Sequence, residues 1–298
     1  MKKMIYYLEM SVLIALMISC KFTESDLKKE TGDMKMKSKV LYEELLPDEF
    51  IERINACPIA YLPLGTMEWH GLHLPLGSDG LQSKGFFMAL AEEVGGIVLP
   101  MLFLGPDGTV KELDLNEFSY IGMEYRSFEE GHLQQLEGNA YYVDQEVFIK
   151  MLESIMWSLS RTGFKIVVAH GHGPSNSAFH HSIEKLEKQF GLKLYDLGMI
   201  GLHGPQGIQT DHAAYSETSL MMRIRPELVD IGKITNDENM TGISGIDPRN
   251  RASYEEGDKI IAANLAIVSE KLKKDLSEMS WEKREIKHTH VKKIYRDQ

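Results

Sequence analysis

Short apolar runs alternate with amphipathic segments along the chain, and this pattern predicts an α/β fold. The runs are bounded by Gly or Pro and have the length of buried strands, while the segments between them have helical periodicity. Strands are predicted at residues 59–64, 97–104, 164–169 and 192–197. A strand–helix–strand order favours parallel pairing with helices on the sheet faces. We therefore expect a three-layer α/β/α sandwich with a mostly parallel central sheet.

The helical segments complete this picture. Helices are predicted at residues 46–55, 78–94, 144–161, 217–223 and 257–276, with another that ends at residue 190 and begins at its cap, Ser175 or Asn176. The helix at 144–161 has an apolar stripe, and Trp157 is expected to pack in the core beside it. The stripe consists of Val147, Met151, Ile155 and Leu159.

Composition and charge narrow the class of protein. The chain has 298 residues, 43% of them hydrophobic, and a formal net charge of −11. An acidic chain of this kind is not expected to bind nucleic acid or an anionic membrane surface. No internal repeat or composition break divides residues 40–298, which we interpret as one domain. The basic tail from residue 282 is interpreted as a solvated strand or tail.

The amino terminus has the features of an export signal. Lys2 and Lys3 precede an apolar segment, residues 4–19, which is shorter than a bilayer-spanning helix. It ends at Cys20 in a sequence that resembles a bacterial lipoprotein signal, which predicts a lipidated Cys20 and an exported protein of the periplasm or outer membrane. A plain secretory signal is the alternative. Residues 21–39 are charged, lack an apolar face and are interpreted as a flexible tether.

Candidate chemistry follows the first predicted strand directly. Glu68, His70, His73 and Asp79 lie within twelve residues, in a stretch that Pro75 and several glycines keep irregular. In extended backbone the Glu-x-His spacing places both side chains on one face. A carboxylate oxygen and an imidazole nitrogen would then converge, so this stretch predicts a metal site. Asp107 and Asp114, by contrast, lie in an aperiodic segment, residues 105–142, and are interpreted as turn residues. That segment is expected to cover the site or to form a subunit contact.

The stretch resembles the creatininase family, which carries the pattern Pro-x-Gly-x-x-Glu-x-His-Gly-x-His-Leu-Pro-x-x-x-Asp; this chain matches it from Pro63 to Asp79. A second family segment, Asn-Gly-His-Gly-Gly-Asn, is matched in part around His172, with His170, Pro174 and Ser175 as departures. A third, His-Ala-Gly-x-x-Glu-Thr-Ser, is matched from His212 through Glu217, with Ala214 in place of glycine.

The resemblance implies a metal-ligand set of Glu68, His70, Asp79, His172 and Glu217. Asp79 would bridge two ions, with Glu68 and His172 on one ion and His70 on the other, and Glu217 as a direct or outer ligand. Three carboxylates and two neutral imidazoles balance two divalent cations and one hydroxide. Two ions are therefore favoured over one. Mixed nitrogen and oxygen ligands suit zinc, manganese or iron.

The implied reaction is hydrolysis of an amide carbon–nitrogen bond in a small cyclic or formyl amide by metal-activated water. His212 is the candidate to move a proton to the leaving nitrogen. His73 would contact substrate or stabilise its loop. Creatinine recognition in the family involves tryptophans between the second and third segments, and this chain has none between His172 and His212. We therefore expect a substrate other than creatinine.

Two other functions remain open from the sequence. A lipid-anchored protein that uses the fold to bind a ligand without turnover is suggested by the departures at His170, Pro174 and Ser175. A metal phosphoesterase is less favoured, because no basic residue in the three segments would receive phosphate. Family members are often hexamers, and the resemblance implies a homo-oligomer here.

Overall fold

The computed structural model describes residues 39–106, 141–234 and 242–285, which belong to one compact unit, Lys39–Gln298. Several predictions fall on residues outside these ranges. They concern the signal, the lipidation site Cys20, the tether, the turn residues Asp107 and Asp114 and most of the basic tail. Within them no helix combines the length and the apolar character that crossing a membrane requires.

Six α-helices, four strands and five short 3-10 helices make up the regular structure of the described residues. The helices are α1 (Pro47–Ala56), α2 (Ser78–Glu93), α3 (Gln145–Thr162), α4 (Gly173–Phe190), α5 (Tyr215–Ile224) and α6 (Tyr254–Ser277). The strands are β1 (Ile59–Leu64), β2 (Ile97–Val98), β3 (Ile166–Gly171) and β4 (Lys193–Asp196).

The four strands form one parallel sheet in the order β2-β1-β3-β4. The central pair is in register from Ile59 opposite Ile166 to Leu64 opposite Gly171. Both strands are buried along their whole length, as expected for a parallel sheet covered on both faces. In such a sheet, ligand sites lie beyond the carboxyl ends of the strands, where β1 and β3 lead into their loops.

Alternate residues of the strands pack into two separate hydrophobic cores, one on each face of the sheet. Ile59, Tyr61 and Val168 pack with apolar residues of α2 and α6 on one face. Leu62 and Ala169 pack with α1, α3 and α4 on the other. The predicted three-layer α/β/α sandwich with a parallel sheet is therefore confirmed.

Four local predictions were wrong. Strand β2 ends at Val98, because Pro100 has no N–H to continue the ladder and only an isolated bridge at Leu102 follows. Helix α4 begins at Gly173, with Pro174 in its first turn, where proline is favoured, so Ser175 and Asn176 lie inside the helix and do not cap it.

The other two concern helix α3. Its buried stripe contains Phe148, Leu152, Met156 and Leu159, whereas Val147 is exposed. Apolar residues occupy two adjacent stripes of this helix, and the bulky Phe148 takes the core position. Trp157 is 52% exposed, with the Arg161 guanidinium 4.7 Å from the centre of its ring.

Candidate metal centre

The structure brings the five predicted ligand residues together beyond the carboxyl ends of β1 and β3. Glu68 and His70 lie in the loop after β1, and His172 directly follows β3. Asp79 and Glu217 lie in the first turns of α2 and α5, where the amino-terminal dipole favours a carboxylate. All five are buried, with at most 7% of any residue exposed.

Asp79 lies between the two histidines. Its Oδ1 is 3.1 Å from His70 Nε2, and its Oδ2 is 3.1 Å from His172 Nδ1. The two oxygens of one carboxylate therefore face two different imidazoles. This is the arrangement expected of a carboxylate that bridges two ions.

Each histidine also lies close to a second carboxylate. Glu68 Oε2 lies 2.8 Å from His172 Nδ1, and Glu217 Oε2 lies 3.4 Å from His70 Nε2. Glu68, Asp79 and His172 form one group whose donor atoms all lie within 4.8 Å of one another, and His70, Asp79 and Glu217 form a second. The two groups share Asp79.

Backbone contacts orient two of these side chains. The carbonyl oxygen of Glu68 accepts a hydrogen bond from His70 Nδ1 at 3.2 Å, which leaves Nε2 facing the carboxylates. The backbone N–H of Ala213 donates to Glu217 Oε2 at 2.8 Å. Ala213 adopts a positive φ of 52°, whereas Ala214 has a φ of −96°, so the alanine that replaces the family's glycine is not strained there.

The buried charges shift one another's pKa values. Burial disfavours protonated His70, but the charges of Asp79 and Glu217 outweigh it and raise its pKa well above the usual value. Burial likewise opposes protonation of His172, and Glu68 and Asp79 raise its pKa to about 10. Burial and the charges of Asp79 and Asp211 raise the pKa of Glu217 well above its usual range. Without metal, protonated His70 and His172 therefore compensate the charge of Asp79, whereas burial favours the neutral form of Glu217.

His212 lies beside this cluster, with its ring centre 4.5 Å from that of His70. Its Nε2 is 3.0 Å from the Trp69 carbonyl oxygen, which can only accept a hydrogen bond. Nε2 therefore carries the proton and Nδ1 keeps its lone pair. Burial, with the charge of His70, lowers the pKa of His212, so the neutral ring is favoured.

His73, the predicted substrate contact, belongs to none of the ligand groups that the described residues form. Its Nε2 lies 2.9 Å from Thr218 Oγ1, which itself donates to the Ala213 carbonyl. Burial and the charge of His70 lower the pKa of His73 to about 4. These contacts favour the loop-stabilising role of His73 over contact with substrate.

Two polar residues near Asp79 were not identified from the sequence. Gln209 Nε2 donates to Asp79 Oδ1 at 3.0 Å and to the Asp79 carbonyl oxygen at 2.9 Å. Ser83 Oγ donates to Gln209 Oε1 at 2.8 Å. Gln209 lies in a loop with no family motif, and a positive φ of 53° carries its side chain to the site. Sequence patterns give no signal for such a conformation.

The raised pKa of His172 predicts how the stability of the metal-free protein depends on pH. Between its unfolded value of 6.5 and its folded value of about 10, His172 holds a proton only in the folded chain. The His172 proton alone should therefore lower the free energy of unfolding by about 3 kcal/mol when the pH rises from 6.5 to about 9, and His70, whose pKa is also raised, adds to this loss. Urea unfolding of chelator-treated protein measures this. Metal-loaded protein, which needs neutral imidazoles, should show no such loss, and an unchanged stability of the metal-free protein over this range would contradict the assignment.

Fold and cluster together define an α/β protein with a candidate metal site at the carboxyl ends of its parallel strands. The family model for creatinine amidohydrolase (creatininase) matches residues 43–113 and 127–271. A creatinine amidohydrolase from Pseudomonas putida is 25% identical over 219 residues, which cover 67% of this chain and 78% of that protein.

Solved structures agree on the fold. A crystal structure of creatinine amidohydrolase superposes with a TM-score of 0.59 at 20% identity, covering 79% of this chain and 97% of that one. A mutant creatininase complexed with creatine gives a TM-score of 0.59 at 19% identity, covering 80% and 98%. The chain belongs to the creatininase family. It is therefore a metal-dependent hydrolase of amide carbon–nitrogen bonds.

Proposed function

We propose that the chain hydrolyses a small cyclic or formyl amide at a centre of two divalent metal ions. The observation that carries this proposal is the position of Asp79, whose two oxygens face His70 and His172 within two donor groups. Each group adds one further carboxylate, Glu217 or Glu68. The two groups would hold one ion each, with Asp79 shared.

The donor chemistry fits such ions. Among the described residues, the ion pairs of these three carboxylates are with histidines, and none is with Lys or Arg. Three buried carboxylates this close together need compensating positive charge, which divalent cations supply. Nitrogen and oxygen donors without thiolate suit zinc, manganese or iron. Solved relatives include creatininases described as a manganese form and as a Zn-Zn type.

The protein's own groups would orient the reaction. The chemistry supplied by two bound ions is activation of water and polarisation of the amide carbonyl. His70 is held by the Glu68 carbonyl so that Nε2 faces the site, and Glu217 is held by the Ala213 N–H. His212, fixed by the Trp69 carbonyl, would accept a proton at Nδ1 and pass it to the leaving nitrogen.

A substrate screen tests this function. Metal-loaded protein should hydrolyse members of a panel of small cyclic and formyl amides, with creatinine a poor substrate. Glu68→Gln keeps the size of the side chain but removes one anionic ligand, so it should lower the metal content and lower kcat/KM by more than about 100-fold. Folded protein that binds metal but hydrolyses no amide would favour ligand binding without turnover, and turnover of phosphate esters alone would favour a phosphoesterase.

Export and anchoring form a separate proposal. The apolar amino terminus that ends at Cys20 supports a lipidated, exported protein of a bacterial periplasm or outer membrane. Mass spectrometry of the mature protein from its native host should find Cys20 as a modified first residue. An unmodified chain that still begins at Met1 would exclude this.

We also propose a homo-oligomer, a hexamer by resemblance, which light scattering of the purified protein would test.

A further inference from the structure

A hydrogen-bonded chain of three side chains runs from the end of β3 to Asp79. His170 Nδ1 lies 3.0 Å from Ser83 Oγ, and Ser83 donates to Gln209 Oε1 at 2.8 Å. Gln209 Nε2 then donates to both Asp79 Oδ1 and the Asp79 carbonyl oxygen. His170 and Ser83 are buried, with 5% and 0% exposed.

The direction of every bond in this chain is determined. The two Asp79 oxygens only accept, so the amide nitrogen of Gln209 faces Asp79 and its oxygen faces Ser83. Ser83 uses its single proton on that oxygen. It must therefore accept from His170, which is thus protonated at Nδ1.

The backbone at Gln209 indicates that this contact is specific. Gln209 is one of two non-glycine residues with positive φ among the described residues. Such a conformation is unfavourable for a residue with a side chain and persists where surrounding interactions impose it. Here the imposed conformation directs the amide group at Asp79 Oδ1, the oxygen that also faces His70.

We propose that Gln209 is a positioning residue that sets the orientation of the Asp79 carboxylate between His70 and His172, with Ser83 and His170 fixing the Gln209 amide. This inference rests on the proposed function, because it gives Asp79 the bridging position. Hydrogen bonds to a ligating carboxylate hold it in the geometry that its metal requires. Metal affinity, and not only turnover, should therefore depend on Gln209.

Zinc affinity, measured by competition with a chromogenic chelator, tests the proposal. Gln209→Met keeps the length of the side chain without its donor and should weaken zinc binding about 10- to 100-fold. Gln209→Gly removes the donor and also relieves the positive φ, so it should weaken zinc binding without loss of folding. Ser83→Ala should weaken zinc binding less, because Gln209 then keeps its donor to Asp79 and loses only the hydrogen bond that orients its amide. His170→Asn should bind like the native protein, since an amide N–H can replace Nδ1–H.

A buried serine that takes no part in this series of hydrogen bonds provides a control. Ser182 donates to the Ala178 carbonyl within α4, so Ser182→Ala should leave zinc affinity unchanged. In the Gln209→Met background, Ser83→Ala should have no further effect on affinity, because its effect acts through Gln209. Native-like zinc affinity in folded Gln209→Met or Gln209→Gly would overturn the proposal. So would equal, additive losses for Ser83→Ala in both backgrounds. A native protein that binds none of zinc, manganese and iron would instead overturn the proposed function.

Discussion

Asp79→Asn is expected to abolish metal binding by both donor groups at once. The substitution keeps the shape of the side chain but removes the negative charge that faces His70 and His172. Metal content after dialysis should fall from about two equivalents to less than one, because both proposed ions share this carboxylate. Amide hydrolysis should fall by more than about 100-fold, beyond the usual cost of losing an outer ligand. Elemental analysis and a kinetic assay measure the two quantities.

A distant buried carboxylate provides the matched control. Asp275 of α6 accepts from Tyr195 in β4 and from Lys271 one turn earlier in the same helix, and only 3% of it is exposed. Asp275→Asn should lower the free energy of unfolding because it weakens these bonds, yet leave the metal content unchanged. If Asp79→Asn retained two equivalents of metal, Asp79 would not bridge. If Asp275→Asn lost metal equally, the effect of Asp79→Asn would reflect stability alone.

Gly171→Ala is expected to have the largest effect on folding. Gly171 has a φ of 154° at the last position of β3, where it pairs with Leu64. A Cβ atom there would lie 1.7 Å from the Leu64 carbonyl oxygen, an overlap with backbone that no rotamer relieves. The free energy of unfolding should fall by at least about 3 kcal/mol, which corresponds to a loss of roughly 10 °C in Tm for a domain of this size.

Gly173 provides the control two residues away. It lies in the first turn of α4, and a Cβ atom at this position would meet nothing within 4 Å. Gly173→Ala should therefore leave the thermal unfolding temperature unchanged or slightly raised, because alanine restricts the unfolded chain. Equal stability of the two variants would show that the ends of β1 and β3, which lead to Glu68, His70 and His172, are not packed as described.

The fold was predictable because its signals are local. Each buried strand has a continuous apolar run, and strand–helix alternation leads to parallel pairing. Details that depend on competition between neighbours were not predictable. In α3, an apolar stripe through Val147 and another through Phe148 were both compatible with the core. Only packing against the sheet selects the stripe with Phe148. Trp157 lies outside the core for the same reason, with Arg161 over its ring.

The candidate site was predictable to a similar degree. Glu68, His70, Asp79, His172 and Glu217 lie in motifs that follow strands or begin helices, so their meeting follows from the topology. Gln209 and Ser83 belong to no motif. The contact of Gln209 with Asp79 depends on a loop conformation at positive φ, and that of Ser83 with Gln209 depends on a helix face buried against this loop. Neither is encoded by periodicity. Hydrogen bonds of this kind, made to a ligand side chain by residues outside the motifs, can be identified only from the three-dimensional structure.

The most direct test of the central claim is anomalous X-ray scattering from crystals grown with zinc or manganese. The account predicts two metal peaks roughly 3.5 to 4 Å apart, one beside each oxygen of Asp79. His172 and Glu68 should contact one peak, and His70 should contact the other. A single peak, or peaks away from Asp79 in a folded and active protein, would contradict the account.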